Sequence, residues 1–140
     1  MAIDKTKSAA IPHSGTDRHY RLQDTIDISV AANADVYQCL AIPAGTIVYS
    51  VWTKIVTPNN AGTSSEVTIG DGNGATSWGG TRSMKSQAGT IVKDIGGTDA
   101  YSTNNGVIYT NADTIDLTFA VTGTNTAGSV IVGADCMDLN

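Results

Sequence analysis

Hydrophobic and polar residues alternate through most of the chain from about residue 24 onwards. In residues 25–30, Ile26, Ile28 and Val30 share one face, because the side chains of a strand point alternately to its two sides. The same alternation returns in later runs, which are separated by turns rich in Gly, Asn and Thr. About eight strands are therefore predicted, and they comprise residues 25–30, 36–42, 46–57, 65–69, 89–95, 107–109, 114–121 and 129–139.

The last two predicted strands have the clearest alternation. The turn between them, residues 122–128, contains two glycines. Because consecutive strands joined by a short turn commonly pair, we expect these two strands to form a hairpin. Their inward side chains are expected to be Ile115, Leu117, Phe119, Val121, Val130, Val132, Ala134 and Cys136.

The longest run, residues 46–57, is apolar on both faces. A strand of this kind is buried between layers or lies at an interface. We therefore expect Trp52 and Val56 to lie at an interface between subunits. The two faces are predicted to carry Ile47, Tyr49, Val51 and Ile55 on one side, and Val48, Trp52 and Val56 on the other.

Composition narrows the fold class. Gly, Ser, Thr and Asn make up 54 of the 140 residues, and Glu66 is the only glutamate. Thr favours strands and the other three favour turns, which argues against a helical bundle or a doubly wound α/β enzyme. We predict an all-β protein whose residues 23–140 form a single β-sandwich of about eight antiparallel strands, jelly-roll-like. Residues 1–22 have no apolar periodicity and are expected to form an extended N-terminal arm.

The predicted arm and body differ in charge. Residues 1–21 carry a formal charge of +2 and residues 22–140 carry −7, for a total of −5. The acidic body argues against nucleic-acid binding, and no signal peptide or membrane-spanning stretch is evident. An extended basic arm can lie across a neighbouring molecule, adding backbone hydrogen bonds and charge contacts. The candidate anchoring residues are Lys5, Lys7, Arg18, His19, Tyr20 and Arg21.

The sequence offers little catalytic chemistry. Its only histidines, His13 and His19, lie in the arm, away from any predicted pocket, so we expect no enzyme and no cofactor. Cys39 and Cys136 are far apart and lack the paired spacing of a zinc site. We expect two buried thiols in a protein made in a reducing cytoplasm.

Two loop features have competing interpretations. Asp71 and Asn73 resemble the start of a calcium loop, but the distal Glu is missing, and Asp-Gly and Asn-Gly pairs are also what a tight turn uses. We therefore predict a plain turn and no metal. Trp78, flanked by Gly79 and Gly80, is a possible glycan contact, although a tryptophan that closes the end of the sandwich is the favoured interpretation.

Three segments carry a family resemblance: residues 35–46 (DVYQCLAIPAGT), 67–74 (VTIGDGNG) and 112–117 (ADTIDL). In this order and spacing they resemble the small β-rich virion structural proteins that tailed bacteriophages encode near the major capsid protein. Such proteins are capsid decoration (cement) proteins, head fibres or related outer virion components, often trimeric jelly rolls fixed by an N-terminal segment. The resemblance implies a non-enzymatic role outside the capsid shell.

The main hypothesis is a capsid decoration protein on the virion exterior, with the major capsid protein as partner and a homo-oligomer, a trimer, as the assembled form. The alternative is a tail-fibre or head-fibre module that binds host-surface glycans through loops 70–80 and 96–106. The same sandwich could serve either function, because function depends on the site and not on the fold. A small hydrolase would rest only on scattered Asp residues, which are expected in solvated turns.

Overall fold

A computed structural model describes residues 2–5, 18–93, 101 and 106–139. These residues contain ten strands. The strands are β1 (Ala2–Asp4), β2 (His19–Asp27), β3 (Val36–Ile42), β4 (Thr46–Thr57), β5 (Ser64–Asp71), β6 (Gly74–Ser83), β7 (Ile91–Lys93), β8 (Val107–Tyr109), β9 (Asp113–Thr122) and β10 (Ser129–Asp138).

The strands form two sheets whose order is that of a jelly roll. Sheet A has the order β1-β3-β9-β5-β6, and sheet B has the order β2-β10-β4-β7, with β8 also paired to β4. Leaving out the short β1 and β8, the pairs β2–β10, β3–β9, β4–β7 and β5–β6 are nested, as in a long hairpin rolled into a sandwich. All of these pairs are antiparallel, whereas β1 joins β3 in parallel. The predicted all-β jelly-roll sandwich is confirmed.

The core lies between the two sheets and follows the predicted alternation closely. The expected inward residues of β9 and β10 are all buried. Tyr37 and Phe119 pack edge to face in its centre, with ring centroids 4.8 Å apart. On sheet A, Arg82 is buried and its Nη1–H donates to the carbonyl of Val92 at 3.5 Å, which links β6 to β7 across one open side of the sandwich.

The predicted hairpin between the last two strands is wrong. β9 pairs with β3 and β5 in sheet A, whereas β10 pairs with β2 and β4 in sheet B. The turn between them therefore crosses from one sheet to the other. Alternation gives each strand its inner face but does not determine which partner it takes, because both sheets offer an equivalent apolar side to the core.

The predicted faces of β4 are partly wrong. Val48 is buried with Val51, whereas Tyr49 is exposed. The register of β4 against β10 shifts by one residue here, so that Tyr49 is the extra residue of a bulge. A bulge reverses which residues of the strand face inward. A prediction that assumes regular alternation along the whole strand therefore assigns the residues on one side of the bulge to the wrong face.

The N-terminal part of the chain also differs from expectation. β2 begins at His19, so residues 19–22, assigned to the arm, belong to sheet B. β2 ends at Asp27, and Val30, expected to share a face with Ile26 and Ile28, is 72% exposed whereas both isoleucines are buried. The segment 74–83, to which no element was assigned, forms β6.

Candidate interaction surface

The outer face of sheet B brings together residues that the sequence placed in separate groups. Successive strands align in rows across this face, and one row runs Gln23, Gly133, Trp52 and Lys93. The neighbouring row runs Thr25, Ile131, Lys54 and Ile91. Arg21, expected in the arm, is paired with Asp135 in the row on the other side of Trp52.

Trp52 lies on Gly133. A Cβ added to Gly133 would be 2.1 Å from Cε2 of the indole, so the ring occupies the space above this glycine. The guanidinium carbon of Arg21 is 5.4 Å from the centre of the same ring, within the range of a cation–π interaction. The absence of a side chain at position 133 therefore allows Trp52 to pack close to the sheet.

A charged cluster holds Arg21 beside the indole. Nε–H of Arg21 donates to Oδ1 of Asp135 at 3.0 Å, and the hydroxyl of Ser50 donates to Oδ2 at 2.9 Å. The ammonium of Lys93 is 4.0 Å from Oδ2 of the same carboxylate. Arg21, Trp52, Lys93, Asp135 and Ile91 line a groove of about 240 Å³.

Several apolar side chains on the strands of sheet B are exposed. Tyr49 is 40% exposed, Val56 42%, Ile91 61% and Ile108 54%. Large apolar side chains concentrated on one sheet face are typical of an interaction site. The predicted interface residues Trp52 and Val56 are both on this face, Trp52 half-buried and Val56 exposed.

The predicted anchoring residues are divided between the sheets. Lys5 follows β1 at the edge of sheet A, where its ammonium is 4.9 Å from the centre of the Tyr37 ring. His19 is exposed and stacks on Tyr49 on sheet B, with ring centroids 5.8 Å apart. Tyr20 instead packs against the core, and burial raises the pKa of its hydroxyl.

Arg18 precedes β2, and its carbonyl accepts a hydrogen bond from the backbone N–H of Asp138 at 3.0 Å. Lys7 lies outside the described residues, as do His13 and most of the loop 96–106. The anchoring role of these side chains remains a prediction.

Trp78 is fully buried, so its assignment as a glycan contact is wrong. Its indole N–H donates to the hydroxyl of Tyr109 at 2.8 Å, and that hydroxyl donates to Oδ2 of Asp71 at 2.6 Å. The ring of Tyr101 packs edge-on at 5.1 Å. With no open ring face on which a sugar can stack, Trp78 fills the sandwich, as the favoured interpretation had it.

Asp71 and Asn73 form a turn, as predicted. Oδ1 of Asp71 accepts the backbone N–H of Asn73 at 2.9 Å, and Oδ2 is the acceptor for Tyr109. The carboxylate of Asp113 accepts the N–H of Gly72 at 3.2 Å, which braces the same turn. In the described part of the chain, no group of three or more His, Cys, Asp or Glu is arranged to hold a metal ion.

The two cysteines are buried free thiols, as predicted. Burial raises the pKa of Cys136 to about 12 and also raises that of Cys39. Because the thiolate is the reactive form of cysteine, these side chains are chemically inert core residues.

Comparison with solved structures identifies where this fold occurs. A chain of the cyanophage Pam1 capsid superposes with a TM-score of 0.65 at 14% identity, over 97% of this chain and 95% of that chain. A chain of the Ralstonia phage GP4 capsid gives 0.64 at 10% identity, over 97% and 98%. A chain from the acidic stable capsid of Helicobacter pylori bacteriophage KHP30 gives 0.61 at 14% identity, over 89% and 90%.

The chain has the fold of phage capsid components. The resemblance noted in the sequence is thereby confirmed at the level of the fold. No protein-family model matches the sequence, and no curated protein sequence matches it. Within the described residues, no helix is long and apolar enough to cross a membrane.

Sequence reasoning missed several residues of the sheet B surface. Lys54, Gly133 and Asp135 were not singled out, although the alternation in β4 and β10 places all three on outward positions. An outward glycine opposite an outward tryptophan is the feature that could have identified the site. Finding it requires the register between β4 and β10, which only the structure provides.

Proposed function

We propose that the protein is a non-enzymatic structural component of a bacteriophage virion, specifically a decoration protein that binds the outer surface of the major capsid protein shell and stabilises it. The observation that carries the proposal is the likeness of fold over nearly the whole length of chains from three phage capsids. The matches cover 89–97% of this chain and 90–98% of the capsid chains, so the likeness is not confined to one part of the sandwich.

The N-terminal arm is proposed to anchor the protein on the shell, with Lys5, Lys7 and Arg18 contributing charge contacts. β1 supports this role, because a three-residue strand at the edge of sheet A can extend a sheet by backbone hydrogen bonds. The sandwich is proposed to assemble as a homo-oligomer, a trimer. Many copies on one shell convert a modest interface into substantial stabilisation.

Capsid reconstitution tests the proposal. Expanded capsids that lack the protein are mixed with the purified full chain and imaged by cryo-electron microscopy, and their thermal disruption is followed with and without it. We expect ordered sandwich density on the outer surface and a higher disruption temperature. Bare shells, or protein located only at the tail, would contradict the proposal and favour a fibre-type module that binds host glycans.

Truncation tests the arm separately. Removing residues 1–17 deletes the short edge strand β1 of sheet A but leaves β2 intact, whereas removing 1–21 would also delete part of sheet B. We expect the shorter chain to fold and to lose most of its occupancy on capsids. Unchanged occupancy would show that the arm is not the anchor.

A further inference from the structure

The outer face of sheet B carries an excess of positive charge on an acidic protein. Its described outward positions include the cations Arg21, Lys54 and Lys93 and two carboxylates, Asp135 beside Arg21 and Asp27 at the end of β2, whereas the whole chain has a net charge of −5. We call Arg21, Trp52, Lys54, Ile91 and Lys93 the sheet B patch.

The charges of the sheet B patch are not balanced internally. Asp135 is engaged by Arg21 at 3.0 Å and by Ser50 at 2.9 Å. Lys93 is at the 4.0 Å limit of an ion pair with the same carboxylate, and Lys54 has no ion-pair partner among residues 2–5, 18–93, 101 and 106–139. The two lysines therefore offer positive charge to a partner, beside the apolar surface of Trp52 and Ile91.

We infer that the sheet B patch docks onto a surface of the capsid shell protein that presents carboxylates next to apolar side chains. The carboxylates meet Lys54 and Lys93, and the apolar side chains pack on Trp52 and Ile91. This inference rests on the proposed function and specifies the chemistry of the partner. Tryptophan and arginine are among the residue types that dominate binding energy at protein interfaces, and here Trp52 and Arg21 are already held in place on the sheet.

Charge and symmetry argue against a second copy of the chain as the occupant. In a twofold contact the same patch would face itself, and the lysines of the two copies would repel each other. The outer face of sheet A carries the carboxylates of Glu66 and of the buried Asp116, but it lies on the opposite side of the sandwich. Contacts between opposite faces stack copies in an open row and do not close a trimer. A partner of opposite charge on the shell fits the sheet B patch better than either arrangement.

The test compares two variants of equal net charge. Lys54→Gln with Lys93→Gln removes two positive charges from the patch. Thr81→Glu with Thr124→Glu adds two negative charges at exposed positions outside sheet B. Affinity for expanded capsids that lack the protein is measured by co-sedimentation at two salt concentrations, and the mass of the free protein by light scattering.

We expect the lysine variant to bind about tenfold more weakly and with a smaller salt dependence than the unmodified chain. The threonine variant should bind almost as the unmodified chain does, and Lys54→Arg with Lys93→Arg should restore binding. Equal binding by the lysine variant would overturn the inference while leaving the proposed function intact. Equal losses in both variants would show that the weaker binding comes from the net charge of the protein and not from the patch, and this would also overturn the inference.

Two further outcomes would overturn the inference differently. If the lysine changes lower the mass of an oligomer in solution, the patch lies between copies, as Trp52 and Val56 were first expected to do. If the unmodified chain itself fails to bind capsids, the proposed function fails, and the inference that rests on it fails with it.

Discussion

The two outer faces of the sandwich differ although the same fold builds both. On sheet A the outward positions of β3, β9 and β5 carry amide, hydroxyl and carboxylate side chains together with the small or aliphatic Val36, Ala41 and Ala120, and none of these described positions carries Lys or Arg. On sheet B the outward positions include polar side chains such as Gln23 and Thr25, and in addition they carry aromatic, large aliphatic and basic side chains. The polar residues at the outward positions of sheet A are Gln38, Thr114, Asp116, Thr118, Glu66 and Thr68.

This difference separates what the fold requires from what function adds. Both sheets are twisted antiparallel sheets with one apolar inner face. Stability therefore requires only that the residues on the outer faces be polar and have a high propensity for strands. Threonine on sheet A meets both requirements. Trp52 and Ile91 on sheet B expose apolar surface that a solvent-facing sheet does not need, and this contrast supports the proposal that sheet B is the interacting side.

Gly133→Val is expected to have the largest effect on stability. Any Cβ at this position would collide with the indole of Trp52, so the ring must leave its place over the sheet. We expect a loss of about 3 kcal/mol in the free energy of unfolding, measured by urea denaturation. Gly80→Val on β6 of sheet A is the control, because no atom lies within 4 Å of its Cβ position. Similar losses in both variants would show that the close packing of Trp52 has no special importance.

Asp116→Asn probes the acidic face of sheet A. Burial raises the pKa of Asp116 to about 6, although Thr114 donates a hydrogen bond to its Oδ1 at 2.6 Å. The folded protein therefore binds a proton between about pH 4 and 6 that the unfolded chain has released, and this stabilisation is lost as the pH rises through about 6.

At pH 7 the Asn variant should accordingly be more stable than the unmodified chain by about 2 kcal/mol, and the difference should shrink towards pH 4. Urea denaturation at several pH values measures this. Glu66→Gln removes a charge from the same face and should change the free energy of unfolding by less than about 0.5 kcal/mol. A difference that does not depend on pH would rule out the buried carboxylate as its cause.

The ion pair between Arg21 and Asp135 is expected to contribute least to stability. The two side chains are 59% and 32% exposed, and water screens pairs of this kind. A double-mutant cycle with Arg21→Met and Asp135→Asn should give a coupling free energy of about 0.5 kcal/mol. A coupling above about 2 kcal/mol would mean that the cluster on sheet B stabilises the sandwich itself and would weaken the contrast between the two faces.

Local alternation predicted the inner faces of several strands but not their partners. Ile115 and Val130 point inward as expected, since burying an apolar face depends only on the order of residues within one strand. Pairing depends on residues far apart in the chain, and for this reason the hairpin between β9 and β10 was wrong. The alternative assignment of Trp78 as a glycan contact failed because its neighbouring glycines suggested an exposed loop, whereas they lie in strand β6.

The candidate surface was predicted only in fragments. Trp52 was assigned to an interface and Arg21 to an anchor, but nothing in the sequence placed the two side chains together. They meet because β10 lies between β2 and β4 and aligns Gly133 with Trp52 and Asp135 with Arg21. A surface that spans three strands requires a register, and one sequence does not contain it.

The position of β10 has a consequence for how the protein forms. β10 is the tenth strand along the chain, yet it pairs with both β2 and β4 inside sheet B. Sheet B therefore cannot be completed until residue 138 has been synthesised. β2 pairs with β10, which follows it by more than a hundred residues. Such long-range pairing makes folding slow. Newly made chains should consequently pass through a period in which the apolar side of sheet A lies uncovered.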